Sequence, residues 1–452
     1  MPALRLPSIL KRPVAALILV GLVYLAGVAL RVNYTLRVQP PATTVYSDMS
    51  MYVDLAKRLK SSSEPLGPWD VTHPLGFPAM LAFLMGKDGS LVRPTIVGLI
   101  VACLVPLAVG LLGWAAFGRR TALLAVAFSS LYFPFIEFGA HMLSEIHFIF
   151  WMTLAFAAFF AARDVHRRGV VLALSAAGGF ALSLAIAFKS VALLGALAFF
   201  AVDALALFVG GARGDRLSVA RLRPWLARAG ASAVAAAPLL GVLARVCTRA
   251  NEGRFCVTGN KMGADFLLGH YGRIADMSWA ADRGHGFVFG SPSTWLRHLE
   301  GRVPVPFPMT DNAANTAEAW RWIRRNPFEA FVLSLDHVYD TFFGQTIWPT
   351  MNGPRWAWAQ LSEYVFIVLL FIPAVLVCAH VVKQGARAAL ASRVALVFAP
   401  VAALAVTVAI ATGEVRYRVP FDVLFIAAAC ALVTREVDGS PAPRVAASAP
   451  QT

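Results

Sequence analysis

The sequence predicts an all-α polytopic membrane protein with about ten transmembrane helices, and three observations predict it. Of 452 residues, 58% are hydrophobic and only 14% are charged, against roughly 45–50% and about 25% in a soluble domain. The excess lies in long uncharged runs, and about 20 apolar residues at 1.5 Å rise cross a bilayer core. Basic clusters fall at alternate connections between those runs, as the positive-inside tendency requires.

Taken in order, the spans fall at about 13–32, 91–115, 119–136, 141–162, 169–187, 190–211, 227–246, 360–383, 392–412 and 417–434. The first run, Val14 to Leu30, is too long for a signal-peptide core and lacks an A-x-A site, so it reads as a retained helix. With the N-terminus and its Arg5, Lys11 and Arg12 inside, four connections also fall inside, together with the tail after Arg435. These connections hold Arg119–Arg120, Arg163–Arg168, Arg213–Arg228 and Lys383–Arg393. The net charge of +15 is therefore topogenic, and no nucleic-acid partner is implied.

The segment HPLGFPAMLAFLMG (73–86) is apolar but short, and carries Pro74 and Pro78. Counted as a span it would invert every later loop, so it reads as an interfacial or re-entrant helix. Four regions follow. Residues 1–246 form an N-terminal transmembrane module whose first outer loop is 33–90, and residues 247–359 form a large outer loop. Residues 360–436 carry the C-terminal helices, and 437–452 have the composition of a disordered tail. In the large loop, Asn315 with Glu318 resembles a capping box before a short helix ended by Pro327. PFEAFVLSLDHVYDTFF then reads as a half-buried helix leading back to the membrane. No internal repeat is visible.

Charged groups in or beside spans are candidates for function. Asp48, Asp70, His73, Glu137, His141, Glu145, Lys189, Arg416 and Arg418 converge on the outer face, while Asp203 lies inside the sixth span. Each also has a structural reading. Asp48 or Ser47 caps the amphipathic helix that follows, whose apolar face is Met49, Tyr52, Val53, Ala56 and Leu59. Lys189, Arg416 and Arg418 snorkel to headgroups, and His73 is a turn residue before Pro74. Trp279, Trp295, Trp320 and Trp322 anchor at the interface or stack on sugars. Cys247 and Cys256 either pair, if their loop faces an oxidising compartment, or stay free. Jointly, carboxylates and cations on one face suit a substrate with a phosphate at one end and an exchanging proton at the other. Lys57, Arg58, Lys60, Lys87 and Arg93 in the first outer loop, against the positive-inside trend, add to that pattern.

Several segments resemble the GT-C superfamily of membrane glycosyltransferases, in the branch of protein O-mannosyltransferases and aminoarabinose–lipid A transferases. SDMSMYVDLA is similar to its D-E-x-x-Y-x-x-x-A stretch and HPLGFPAMLAFLMG to its H-P-P segment. AAFGRRTALLAVAF, MLSEIHFIFW, AIAFKSVALL, TGNKMGADFLLGHYG and GEVRYRVPFDVLF resemble later motifs in family order. Met49 stands where the family often has Glu, and Leu75 replaces the second proline.

The resemblance implies interfacial helices of the first outer loop packed over a membrane cavity. It implies a polyprenyl-phosphate-linked sugar as donor and a glycan, lipid or protein acceptor, among membrane lipids. Asp48 is then the catalytic carboxylate, and Lys189, Arg416 and Arg418 lie at the donor phosphate. Tyr52, Asp70, His73 and Glu145 line the substrate. No cofactor is obligatory, and a divalent cation on Asp70, His73 and Glu145 is compatible. The expectation is an inverting glycosyltransferase in a bacterial inner membrane, with its site facing the periplasm or exterior. A transporter or flippase of lipid-linked sugar is the alternative.

Overall fold

The computed structural model describes residues 13–45, 47–61, 64–209, 219–270, 274–278, 286–289, 302–344 and 355–437. The basic residues before Pro13, Trp279, Trp295 and the expected tail after Val437 lie outside them.

The fold is nearly all helical. Helix α1 (Pro13–Asn33) leads through a wider turn to Val38, and the first outer loop carries α2 (Asp48–Ser61) and α3 (Gly76–Leu84). Then come α4 (Val92–Ala116), α5 (Arg119–Leu131), α6 (Phe133–Gly139), α7 (Glu145–Asp164), α8 (Arg168–Phe188), α9 (Val191–Val209) and α10 (Val219–Ala250). The second outer loop holds α11 (Met262–His270), strands β1 (Ile274–Ser278), β2 (Gly286–Phe289) and β3 (Arg302–Pro308), α12 (Asn312–Arg325) and α13 (Pro327–Phe343). The chain closes with α14 (Arg355–Val365), α15 (Ile372–Lys383), α16 (Ala386–Ala391), α17 (Arg393–Ile410), α18 (Val415–Arg418) and α19 (Asp422–Thr434).

Among the described residues, nine helices are long and apolar enough to cross a membrane. The bent pair α5–α6, with its 57° break at Tyr132, makes a tenth. This matches the expected spans. The segment 73–86 yields only the nine residues of α3, too short to cross. One element was unexpected: β1 pairs antiparallel with β2 and parallel with β3, giving a three-stranded sheet in the second outer loop. Helix α12 is capped by Asp311, whose side chain accepts from the Ala314 amide, and not by Asn315. Asn315 is buried and spends its side-chain amide on the Pro308 and Asp311 carbonyls.

The helices alternate in direction, so their ends sort into two faces. Arg393 bridges to Asp164 (2.8 Å) and Asp203 to Arg228 (2.7 Å) and Arg163 (2.9 Å) at the end carrying the basic connections. Asp203 is thus part of a helix clamp. The opposite end carries both outer loops and the short breaks at 188–191 and 411–415. Glu137 and His141, at this end, bond each other (3.0 Å) and serve the packing of α6, with Tyr34 donating to Glu137. Leucines, valines and isoleucines stay exposed along α1 and the outer face of α4, as lipid-facing surfaces do.

Candidate active site

At the outer-loop end a cavity of about 280 Å³ opens under α2. Three breaks in regular structure deliver its polar groups. At Ser47 the chain takes a positive φ of 51°, uncommon outside glycine. The Ser47 carbonyl then accepts from the Ser50 amide (3.0 Å), which starts α2. Asp48 is its first residue, where the positive helix end favours a carboxylate. Lys189 ends α8 in extended conformation, its amide still bonded to Ala185 O (2.8 Å). Gly76 lets α3 press on that same end: a Cβ there would sit 2.4 Å from the Ala187 oxygen. Gly413 lies against α13, where a Cβ would come within 2.0 Å of the His337 oxygen. That close approach sets the positions of Glu414 and Arg416.

Arg416 is the hub. Its Nη2 donates to Asp48 Oδ2 at 2.9 Å, and its Nε donates to Glu145 Oε1. Lys189 Nζ lies 3.0 Å from that same Glu145 oxygen. Glu145 is 0% exposed and opens α7, so two cations and a helix N-terminus offset its burial. Asp48, in contrast, is 25% exposed and faces the cavity. Burial works to raise its carboxyl pKa, but Arg416, His73 and Lys261 outweigh it and hold the pKa well below the carboxylate range. Asp48 is therefore ionised at neutral pH. Its second oxygen, Oδ1, makes no hydrogen bond among the described residues.

Tyr52, one turn along α2, is buried and meets His73 and Phe77 edge-on at 5.8 and 5.3 Å. His73 is half-buried at the cavity wall, and burial together with Lys261 lowers its pKa to about 3, so it is neutral. The floor is apolar where α17 supplies Leu404 and Val408 beside Phe188 and Val191. A site with an anion-binding end and a greasy floor suits an amphiphile.

Two expected site residues lie elsewhere. Arg418 does not line the cavity. It is fully buried, bonded to Glu363 (2.7 Å) and Asp422 (3.1 Å), with its guanidinium 3.5 Å from the Phe366 ring centroid. Arg416 and Arg418 share the helical turn α18, and residues two apart on a helix point to different sides. Only Arg416 faces the substrate space. Asp70 pairs with Arg58 and accepts the Gly67 amide (2.8 Å), closing the turn at 67–71. Asp70, His73 and Glu145 do not come together as a ligand set. Among the described residues no group of three His, Cys, Asp or Glu has metal-binding geometry.

The structure adds Lys261, Asp265, Glu414 and Tyr417 to the cavity wall. Lys261 and Asp265 pair at 3.3 Å, one turn apart at the start of α11. Burial raises the pKa of Asp265 and of Glu414. Asn260 clasps the two outer loops: its amide donates to Val71 O and its side chain to Pro68 O, both at 2.9 Å. Beside it Cys247 and Cys256 form a disulfide with a Cα separation of 5.6 Å.

Residues 95–235 match the model of the dolichyl-phosphate-mannose-protein mannosyltransferase family. The match bears out the resemblance carried by the motifs. It includes Glu145 and Lys189, while Asp48 and Arg416 lie outside it. No curated protein matches the chain. Among solved structures, the chain is similar to the Archaeoglobus fulgidus oligosaccharyltransferase in its apo form. That match has 13% identity and a TM-score of 0.48, covering 91% of this chain and 50% of that one. It is also similar to the same enzyme tethered to an acceptor peptide, at 12% identity and TM-score 0.47, covering 91% and 49%. The chain spans about half the length of these structures.

Proposed function

We propose that the protein is a membrane glycosyltransferase that moves a sugar from a polyprenyl-phosphate donor to an acceptor hydroxyl at the outer face of the membrane. One observation carries this: an ionised carboxylate, Asp48, shares the guanidinium of Arg416 at the mouth of a cavity whose floor is apolar. The family match over 95–235 agrees with it.

The donor phosphate takes the cationic wall formed by Arg416, Lys189 and Lys261, and its hydrocarbon chain takes the apolar floor. Arg supplies a planar fork and Lys a point charge, so the two are complementary there. Asp48 Oδ1 accepts the proton of the acceptor hydroxyl as general base. The hydroxyl oxygen attacks C1 of the sugar from the face opposite the phosphate. The C1–O bond to phosphate breaks, its electron pair leaves with the phosphate oxygen, and polyprenyl phosphate departs against the cations. A single displacement inverts the anomeric centre. Every proton and electron pair is placed without a metal, and no step needs one.

The outer-face assignment rests on the sorting of basic connections to the other end and on the Cys247–Cys256 disulfide, which suits an oxidising compartment. A bacterial inner membrane with the site towards the periplasm fits both. The test is transfer of radiolabelled sugar from polyprenyl phosphate into a membrane extract by the purified protein. Movement of the lipid-linked sugar across the bilayer without transfer would favour a flippase instead.

A further inference from the structure

Helix α13 is built inside out. Its buried side carries Asp336, His337 and Thr341, while Phe328 and Phe331 are 69% and 60% exposed. Leu335 and Tyr339, also exposed, continue that stripe at helical spacing. A helix in water turns its apolar face inwards, so this one borders an apolar medium.

The far end of α13 meets the middles of two spans. The Phe343 ring lies 4.9 Å from that of Phe371, and the Phe342 ring 6.3 Å from that of Phe425. Phe371 is near the midpoint of the span Trp356–Lys383, and Phe425 near that of Val415–Thr434. The 17 residues of α13 rise about 25 Å back towards the outer loops. Roughly 20 Å separates the midplane of a bilayer from the outer edge of its headgroups. The helix is therefore a half-span that reaches the midplane, and its start at Pro327 stands among the headgroups. Trp358, exposed near the start of the neighbouring span, sits at the same level, where tryptophan is enriched.

Immediately before Pro327, α12 ends in Arg324 and Arg325. Both are exposed, and among the described residues neither guanidinium has an ion pair or a hydrogen bond. Arg321 is held by Glu318, and Glu329 is the single carboxylate in the first turn of α13. The elbow between the two helices thus keeps a net positive charge on the outer side, against the positive-inside trend.

We infer that this elbow binds the phosphate of an anionic phospholipid of the surrounding bilayer, with its acyl chains along Phe328, Phe331, Leu335 and Tyr339. Two guanidinium forks match phosphate oxygens. The net charge selects an anionic headgroup over a zwitterionic one. No residue of α12 or α13 lines the cavity of Asp48 and Arg416, so the lipid site is separate from it. The opposite side of α13 presents the His337 carbonyl to Gly413, so the lipid-bound helix also backs the turn that carries Arg416.

The test uses the full chain in phosphatidylcholine nanodiscs. Each preparation holds a trace of phosphatidylglycerol or phosphatidylcholine with a diazirine on the acyl chain. After irradiation, labelled peptides are mapped by mass spectrometry and normalised to labelling of α1, whose exposed leucines face lipid. The expected result is labelling of 328–339 about tenfold stronger from phosphatidylglycerol than from phosphatidylcholine. Arg324→Gln with Arg325→Gln should remove that excess, while Arg324→Lys with Arg325→Lys should keep most of it. Equal labelling by the two lipids, or an excess that persists in the glutamine variant, would overturn the inference. So would an unlabelled stripe, which would show that α13 faces water or another protein.

Discussion

Arg416 binds Asp48 and Glu145 at once, through Nη2 and Nε of a single guanidinium. The proposed base and the fully buried carboxylate behind it are thus set by one planar group, so base position and phosphate site are coupled.

That coupling makes Arg416→Lys a severe change. Lysine keeps the charge but cannot reach two carboxylates in two fixed directions. Transfer should fall by about 10²–10³-fold, in the range of losing one preorganised electrostatic contact. Initial rates with saturating donor check this. Activity within about twofold of wild type would show that charge alone suffices.

Glu145→Gln tests the buried centre. Glu145 draws Lys189 and Arg416 to one carboxylate oxygen and offsets their repulsion, and its loss leaves two cations facing each other. Breaking a buried ion cluster by removing one partner costs about 3–5 kcal/mol. Thermal unfolding in detergent, followed by tryptophan fluorescence, should show a clear drop. Lys189→Met together with Glu145→Gln should recover part of it, since the pair is then replaced as a unit.

The pH dependence has a defined sign. His73 titrates near 3 in the folded chain, against 6.5 ordinarily, because of burial and Lys261. Between those values the unfolded chain binds a proton that the folded chain does not, so stability is lost as pH falls through that window. Asp48, held below its ordinary value, adds a loss in the same direction at lower pH still. Melting temperatures measured between pH 7 and about 4 should fall, and His73→Gln should flatten the upper part of the curve.

Reducing the Cys247–Cys256 bond should destabilise the chain by about 2–3 kcal/mol, the chain-entropy value for so short a loop. In Cys256→Ser, the freed Cys247 thiol gives a topology test. A membrane-impermeant maleimide should label it, after mild unfolding, only when added from the outer side. Labelling solely from the cytoplasmic side would reverse the topology.

Much of this was legible in the sequence because membrane spans announce themselves by length and apolarity. The ten spans, the short α3 and the convergence of Asp48, Glu145, Lys189 and Arg416 at one end of the helices all follow from those patterns. What failed was of another kind. Arg416 and Arg418 look equivalent in GEVRYRVP, and only the turn α18 shows that one faces the cavity and the other Glu363 and Asp422. Asp70, grouped in the sequence with the other charges of the first outer loop, pairs with Arg58 and accepts the Gly67 amide, a partnership that no local pattern announces. Lys261 and Asp265 lay within a family-like stretch, TGNKMGADF, but in a loop 213 residues from Asp48, whose folding no periodicity reports. The pairing of Arg416 with Asp48 spans 368 residues, and local patterns carry no information at that range.

The most direct test of the central claim is sugar transfer by Asp48→Asn. The purified wild type and variant are given radiolabelled polyprenyl-phosphate sugar and a membrane extract, with donor binding measured in parallel. If Asp48 is the general base, transfer falls by about 10²–10⁴-fold while the donor still binds. Transfer at the wild-type rate by Asp48→Asn would contradict the account.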